Sequence, residues 1–139
     1  MRNHRSHNPC GEQPLPPYGA CLLGSINLAR LVEAPFERGA QLSAAALQDL
    51  VATAVRMMDN VVDASNFPLE AQALEARNKR RIGLGVTGLA DALLMLGLRY
   101  GSEAAARQTE DWEALFLTLV KAKNQHQNLK YNRNKNDTQ

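Results

Sequence analysis

Apolar residues recur at three- and four-residue steps from Leu47 through Leu50, Val51, Ala54, Val55, Met58 and Val61 to Val62. That spacing predicts one amphipathic helix, opened by Ser43 and running to about Ala64. Pro68 suits the first position of a second helix reaching about Lys79. Ile82, Leu84 and Val86 alternate with glycines, which predicts a short strand in a close-packed sheet. A third helix is expected from Ala90 to Leu96, stopped by Gly97. Ser102 then caps a last helix with Ala104, Ala105, Trp112, Leu115, Phe116 and Leu119 inward. Upstream, Pro9, Pro14, Pro16 and Pro17 with Gly11 and Gly19 forbid helix through Tyr18. A short buried strand follows at Ala20-Cys21-Leu22-Leu23, and Ser25 is expected to cap a short helix through Leu31. Ala34 to Gln41 reads as a connector, and no internal repeat is present. The order of loop, strand, helices, strand and helices predicts an α/β piece, mostly helical with two or three short strands. These are too few to close a sheet or barrel alone.

Composition adds a soluble character to this picture. Of 139 residues, 45% are apolar and only 5% aromatic, so the core is aliphatic and the Ala, Leu and Val content favours helices. The net charge is +2 but uneven: residues 8–113 carry nine Lys/Arg against thirteen Asp/Glu, leaving the excess of positive charge to the two ends. Such a split can mark a nucleic-acid arm. The ends also lose the hydrophobic periodicity of a folded domain, so no nucleic-acid partner is expected. The Asn- and Lys-rich stretch from Asn124 to Asp137 cannot bury a face and is expected to be disordered or foreign to the domain. No apolar run reaches the roughly 18–20 residues of a membrane span. Residues 1–7 have no apolar stretch behind them, which argues against a signal peptide. The expected compartment is therefore the reducing cytoplasm, where two cysteines are reactive or buried thiols rather than a structural disulfide.

The informative stretch is Asn8-Pro9-Cys10-Gly11-Glu12, followed by Gln13-Pro14-Leu15-Pro16-Pro17-Tyr18-Gly19-Ala20-Cys21. An amide, a thiol and a carboxylate stand at every second position, and alternate side chains of an extended backbone share a face. Pro9 and Gly11 add no competing polar group and permit a tight, exposed shape. Three functional groups can therefore converge on one substrate, and a second thiol returns at Cys21. The plainer reading makes Cys10 a small buried hydrophobe and Glu12 a solvated charge. Spacing alone does not identify a reaction.

These residues, continued by Leu23-Gly24-Ser25-Ile26-Asn27-Leu28, resemble the active-site segment of ribonucleotide reductase large subunits. A second block, Arg80-Arg81-Ile82-Gly83-Leu84-Gly85-Val86-Thr87-Gly88-Leu89-Ala90-Asp91-Ala92-Leu93, resembles the same family and follows Asp59-Asn60-Val61-Val62-Asp63 at a family-like distance. The neighbours of Cys10 resemble the adenosylcobalamin-dependent class. The resemblance covers roughly residues 8–112. It implies part of a ten-stranded α/β barrel with its finger loop, flanked by a non-family extension at 1–7 and a divergent helix end and basic tail at 113–139.

The resemblance also implies roles. Cys10 matches the finger-loop cysteine whose thiyl radical removes the 3′ hydrogen of a ribonucleotide. Glu12 matches the carboxylate that takes the 3′-hydroxyl proton and helps the 2′-hydroxyl leave as water. Asn8 matches the amide that orients the sugar hydroxyls. Cys21 matches one member of the reducing dithiol, whose electrons come from an external dithiol such as thioredoxin. Adenosylcobalamin is the implied cofactor of the intact enzyme. The chain departs from the family pattern in several places. Leu22 stands where Asn is expected, no third cysteine can pair with Cys21, and the phosphate loops and allosteric site are missing. The polypeptide alone is therefore expected to be inactive.

Three other readings compete: a non-catalytic gene remnant, a nucleotide-binding module, and a small zinc protein. Residues 83–88 fit the dinucleotide glycine pattern, but Lys79, Arg80 and Arg81 precede a short strand, and Glu103 suits a helix's first turn. Close strand–helix packing explains the glycines better. His4, His7, Cys10 and Cys21 are a zinc donor set by type, yet both histidines lie outside the resemblance and no metal is expected. The Lys79-Arg80-Arg81 triplet reads as a solvated helix end complementing the helix dipole. Met57 and Met58 read as packing residues.

Overall fold

A computed structural model describes residues 6–7 and 14–136, with side chains for 15–123. The strands are β1 (Ser6–His7), β2 (Pro14–Leu15), β3 (Leu22–Asn27), β4 (Val32–Glu33), β5 (Gln41–Leu42) and β6 (Ile82–Thr87). The helices are α1 (Ala44–Ala64), α2 (Glu70–Lys79), α3 (Leu89–Met95) and α4 (Glu103–Asn136), with a 3₁₀ turn at Leu28–Leu31. The strands pair as β1–β2, β3–β6 and β4–β5, so no barrel closes among the described residues. Helices dominate, as the aliphatic composition predicts. No helix among the described residues is long and apolar enough to cross a membrane.

The chain divides into two units, one of Met1–Gly24 with Met57–Gly83, the other of Ser25–Arg56 with Leu84–Gln139. In the first, Met58 and Val62 of α1 are buried, and α2 contributes the buried Ala76. Helix α2 begins at Glu70 rather than at Pro68, because Leu69 is the N-cap and its carbonyl takes the amides of Gln72 and Ala73. Pro68 therefore lies just ahead of the helix.

In the second unit Leu47, Val51 and Val55 of α1 are fully buried. Each such side chain stabilises the packed state by about 1.5–3 kcal/mol. Leu50 and Val61, also on the predicted stripe, remain 40% and 39% exposed, so the buried face is narrower than the pattern suggested. Ser25 caps no helix. It lies inside β3, which runs on to Asn27, and it is the Asn27 side chain that accepts from Ala29 N at 3.1 Å to start the 3₁₀ turn. Asn is as good a cap as Ser, and strand pairing decided which of the two was used.

The connector at 34–40 joins β4 to β5 in an antiparallel ladder, Val32 opposite Leu42 and Glu33 opposite Gln41. Two-residue strands are too short for alternation to reveal. Helix α3 ends as expected, with Gly97 at φ 73° and its amide on Leu94 O at 2.9 Å. Ser102 Oγ receives Ala105 N at 3.2 Å and caps α4, whose Ala105, Trp112 and Phe116 are buried while Ala104 is exposed. The polar stretch expected to be disordered is helical as far as Asn136. A helix nucleated by a packed first half extends at little cost through Lys, Gln, Leu and Arg.

Candidate active site

Strands β1 and β2 pair antiparallel, Ser6 opposite Leu15 and His7 opposite Pro14. Asn8, Cys10 and Glu12 lie between these strands in sequence and outside the described residues. Beyond β2 the chain turns tightly: Gly19 N donates to Pro16 O at 2.9 Å and Tyr18 adopts φ 63°. A Cβ on Gly19 would stand 2.9 Å from both Pro16 Cδ and Pro16 O, so only glycine fits this turn. Its exit delivers Ala20 and Cys21 to the start of β3.

Cys21 is half-buried, and its Sγ lies 3.8 Å from Leu22 O. The next residue is tied to the neighbouring strand, Leu22 N donating to Arg81 O at 3.0 Å. Gly83 faces Leu23, where a Cβ would stand 2.8 Å from Cδ2, the free end of a side chain that is 51% exposed and can turn aside. At the far end Gly88 meets Asn27. Start meets start and end meets end, so β3 and β6 run parallel. A cavity of about 200 Å³ opens beside Cys21, lined also by Val61, Val62, Phe67, Ala76 and Arg81.

Of the basic triplet behind β6, Lys79 is the exposed helix end expected, whereas Arg80 and Arg81 are held in ion pairs. The Arg80 side chain is only 7% exposed, and the residue carries α2 out in the left-handed conformation, φ 45° and ψ 51°. That conformation costs a non-glycine residue roughly 1–2 kcal/mol. Its guanidinium offsets the cost by gripping the end of α1. Nε donates to Asp59 Oδ1 at 2.6 Å and Nη2 to Asp59 O at 2.8 Å. Nη1 and Nη2 donate to the two Asp63 oxygens at 2.6 and 2.9 Å. These hydrogen bonds hold the Asp63 carboxyl below the usual carboxylate range and raise the Arg80 guanidinium further from deprotonation. Arg81 Nη2 donates to Glu75 at 2.8 Å, while its Nη1 is buried with no hydrogen-bond partner among the described residues. Sequence reasoning missed this cluster. Its signal was the pair of carboxylates four apart, Asp59 and Asp63, on an otherwise apolar helix.

The glycines of residues 83–88 do not form a phosphate loop. Gly83 and Gly85 lie inside β6, not in a turn after it, and Gly88 at φ 69° precedes a helix of only seven residues. The dinucleotide motif needs its first glycines at the strand-to-helix turn, and these lie within the strand. A second cavity, about 320 Å³, is lined by Leu28, Leu84, Leu89, Trp112, Phe116 and Leu117 and is largely apolar. Of the alternative zinc donors, His4 and Cys10 lie outside the described residues, and His7 is described in its backbone alone.

The family described as ribonucleotide reductase, barrel domain, matches residues 3–125. The chain belongs to that family. It is 46% identical over 100 residues to the vitamin B12-dependent ribonucleoside-diphosphate reductase of Mycobacterium tuberculosis, covering 72% of this chain and 14% of that protein. With the protein of the same name from Thermoplasma acidophilum it shares 46% over 110 residues, 79% of this chain and 13% of the relative. The ribonucleoside-diphosphate reductase subunit alpha of Chlamydia trachomatis is 42% identical over 86 residues, 61% of this chain and 8% of the relative. The chain thus spans about one seventh of the length of the B12-dependent reductases it matches. A partial piece of the reductase barrel explains why, among the described residues, β3 and β6 pair only with each other and why Leu23 and Val86 are 51% and 40% exposed.

Proposed function

We propose that this chain is the finger-loop segment of an adenosylcobalamin-dependent ribonucleoside-diphosphate reductase, which makes deoxyribonucleotides for DNA synthesis in the cytoplasm. The observation that carries the reading is the match of the reductase barrel family to residues 3–125, a span that takes in Asn8, Cys10, Glu12 and Cys21. Cys10, as a thiyl radical, takes the 3′ hydrogen of the ribose, so that an S–H bond forms as the C–H bond breaks. Glu12 accepts the 3′-hydroxyl proton, and Asn8 holds the sugar hydroxyls in place. The 2′-hydroxyl takes a proton from the Cys21 dithiol and leaves as water. The dithiol's second hydrogen goes to C2′, and Cys10 returns the 3′ hydrogen to the ribose and regains its radical. Cys21 and a partner thiol elsewhere in the barrel supply two electrons and become a disulfide, which an external dithiol such as thioredoxin reduces again.

Adenosylcobalamin supplies the radical when bound to the intact enzyme. The cavity beside Cys21, about 200 Å³, falls below the roughly 300–1,000 Å³ of drug-sized ligand sites, and the apolar one, about 320 Å³, lies at the bottom of that range. The cofactor and the substrate phosphates are held by the rest of the barrel. Two measurements test the reading. The 139-residue chain incubated with adenosylcobalamin, a ribonucleoside diphosphate and a dithiol yields no deoxyribonucleotide. Residues 8–112 transplanted into the matching segment of the Thermoplasma acidophilum relative restore turnover, and Cys10→Ser in that chimera abolishes it. Undiminished turnover of the Cys10→Ser chimera would refute the proposal.

A further inference from the structure

We propose that Arg80 is a positioning residue for the Cys21 thiol, acting through its grip on Asp59 and Asp63. The inference rests on the reading of Cys21 as half of the reducing dithiol. Helix α2 must hand the chain to β6 within two residues, and it does so through the left-handed conformation of Arg80. Glycine is the ordinary residue there, because it has no Cβ to crowd the carbonyl. An arginine in its place gains something glycine cannot supply, namely a side chain that fixes the direction of the exit. Its fork holds Asp59 and Asp63 one turn apart on α1, and its backbone amide closes on Ala76 O at 2.8 Å. The chain end of one helix is thereby locked to the flank of another.

The next carbonyl along the chain is that of Arg81, and it receives Leu22 N. This bond is the first tie of β3 to β6 and lies one residue from Cys21. The sulfur therefore inherits its position from the peptide that Arg80 orients. The cavity beside Cys21 is walled by the same elements: Val61 and Val62 lie on α1 between the two aspartates, and Ala76 is the residue on which the Arg80 amide closes. A shift of α2 against α1 moves two walls of that cavity and the anchor of the third together. No other guanidinium among the described residues bonds two carboxylates.

The test uses the full chain with Cys10→Ser, so that Cys21 is the one thiol, and follows its alkylation by iodoacetamide. Arg80→Gly keeps the helix exit and removes only the side-chain grip. It is expected to speed alkylation about tenfold, the scale of losing a charge-assisted hydrogen bond in a locally opening region. Far-UV circular dichroism should stay unchanged. Arg80→Lys keeps the charge without the fork and should recover part of the protection. Asp59→Asn should repeat the effect and add nothing in the Arg80→Gly background. Equal rates in all variants overturn the proposal, as do rates that rise only in step with a falling global unfolding midpoint. If Arg80→Gly fails to fold, Asp59→Asn decides the matter, since it removes the more shielded acceptor and keeps the arginine. An unchanged rate there overturns the proposal too. None of these readouts requires turnover, so the reductase reading fails or stands separately, in the chimera.

Discussion

Asn27 and Gly88 belong to the two separate sequence blocks that resemble the reductases, and the fold sets them against each other. Gly88 takes φ 69°, and a Cβ there would overlap Asn27 Oδ1 and stand 3.2 Å from Asn27 Cγ and 3.3 Å from Ala29 N. The displaced oxygen is the one that caps the 3₁₀ turn by accepting from Ala29 N. Gly88→Ala therefore has two costs. The left-handed backbone costs an alanine about 1–2 kcal/mol. Expelling the Asn27 side chain forfeits the cap, about 1 kcal/mol more. The expected loss is about 2–3 kcal/mol in urea unfolding followed by circular dichroism. Asn27→Ala alone should cost about 1 kcal/mol. In that background Gly88→Ala retains only its backbone penalty, so the double mutant falls short of the sum by about 1 kcal/mol. Exchange of the Ala29 amide should quicken in each single variant, since both remove its acceptor. Strictly additive effects, or a Gly88→Ala protein within about 0.5 kcal/mol of the parent, would show that the two residues do not act as a unit.

Adjacent methionines should separate cleanly: Met58→Ala, at 2% exposure, is expected to cost about 2–5 kcal/mol, whereas Met57→Ala, at 59%, should stay within about 0.5. Equal effects in a thermal melt would contradict the packing of α1. The Arg80 hydrogen bonds hold Asp63 below its ordinary pKa, so its contribution is present above the unfolded carboxylate value and fades as pH falls through the lower folded one. Because the Asp63 side chain is 61% exposed, that contribution is about 0–1 kcal/mol. Asp63→Asn should flatten the acid limb of stability below about pH 4 and leave neutral stability little changed. An acid unfolding curve of the same steepness as the parent's would refute the assignment. Ser102→Ala should loosen the first turn of α4 by about 1 kcal/mol, read as faster exchange at Ala105 N, whose acceptor is Ser102 Oγ.

Much of the architecture was legible residue by residue. The stripe on α1, the glycine stop of α3, the Ser102 cap and the glycine-spaced strand β6 all rest on local rules: periodicity, capping chemistry and backbone permissiveness act over a few neighbours and leave their mark in the sequence. The candidate chemistry was legible in the same way, since an amide, a thiol and a carboxylate alternating in a Pro/Gly loop need no tertiary information to be noticed. Tertiary structure decided what depends on partners distant along the chain. Ser25 and Asn27 are both good caps, and only pairing with β6 carried the strand past the first to the second. The three consecutive basic residues look alike as letters, yet Lys79 is exposed, Arg81 pairs with the nearby Glu75, and the Arg80 side chain is held by two aspartates some twenty residues earlier. A hydrogen bond across that separation leaves no periodic trace, because its geometry exists only once α1 and α2 have packed. The glycines of β6 show the same division: their spacing fits the dinucleotide pattern, their flanks favour a close-packed strand, and the fold places Gly83 and Gly85 inside that strand.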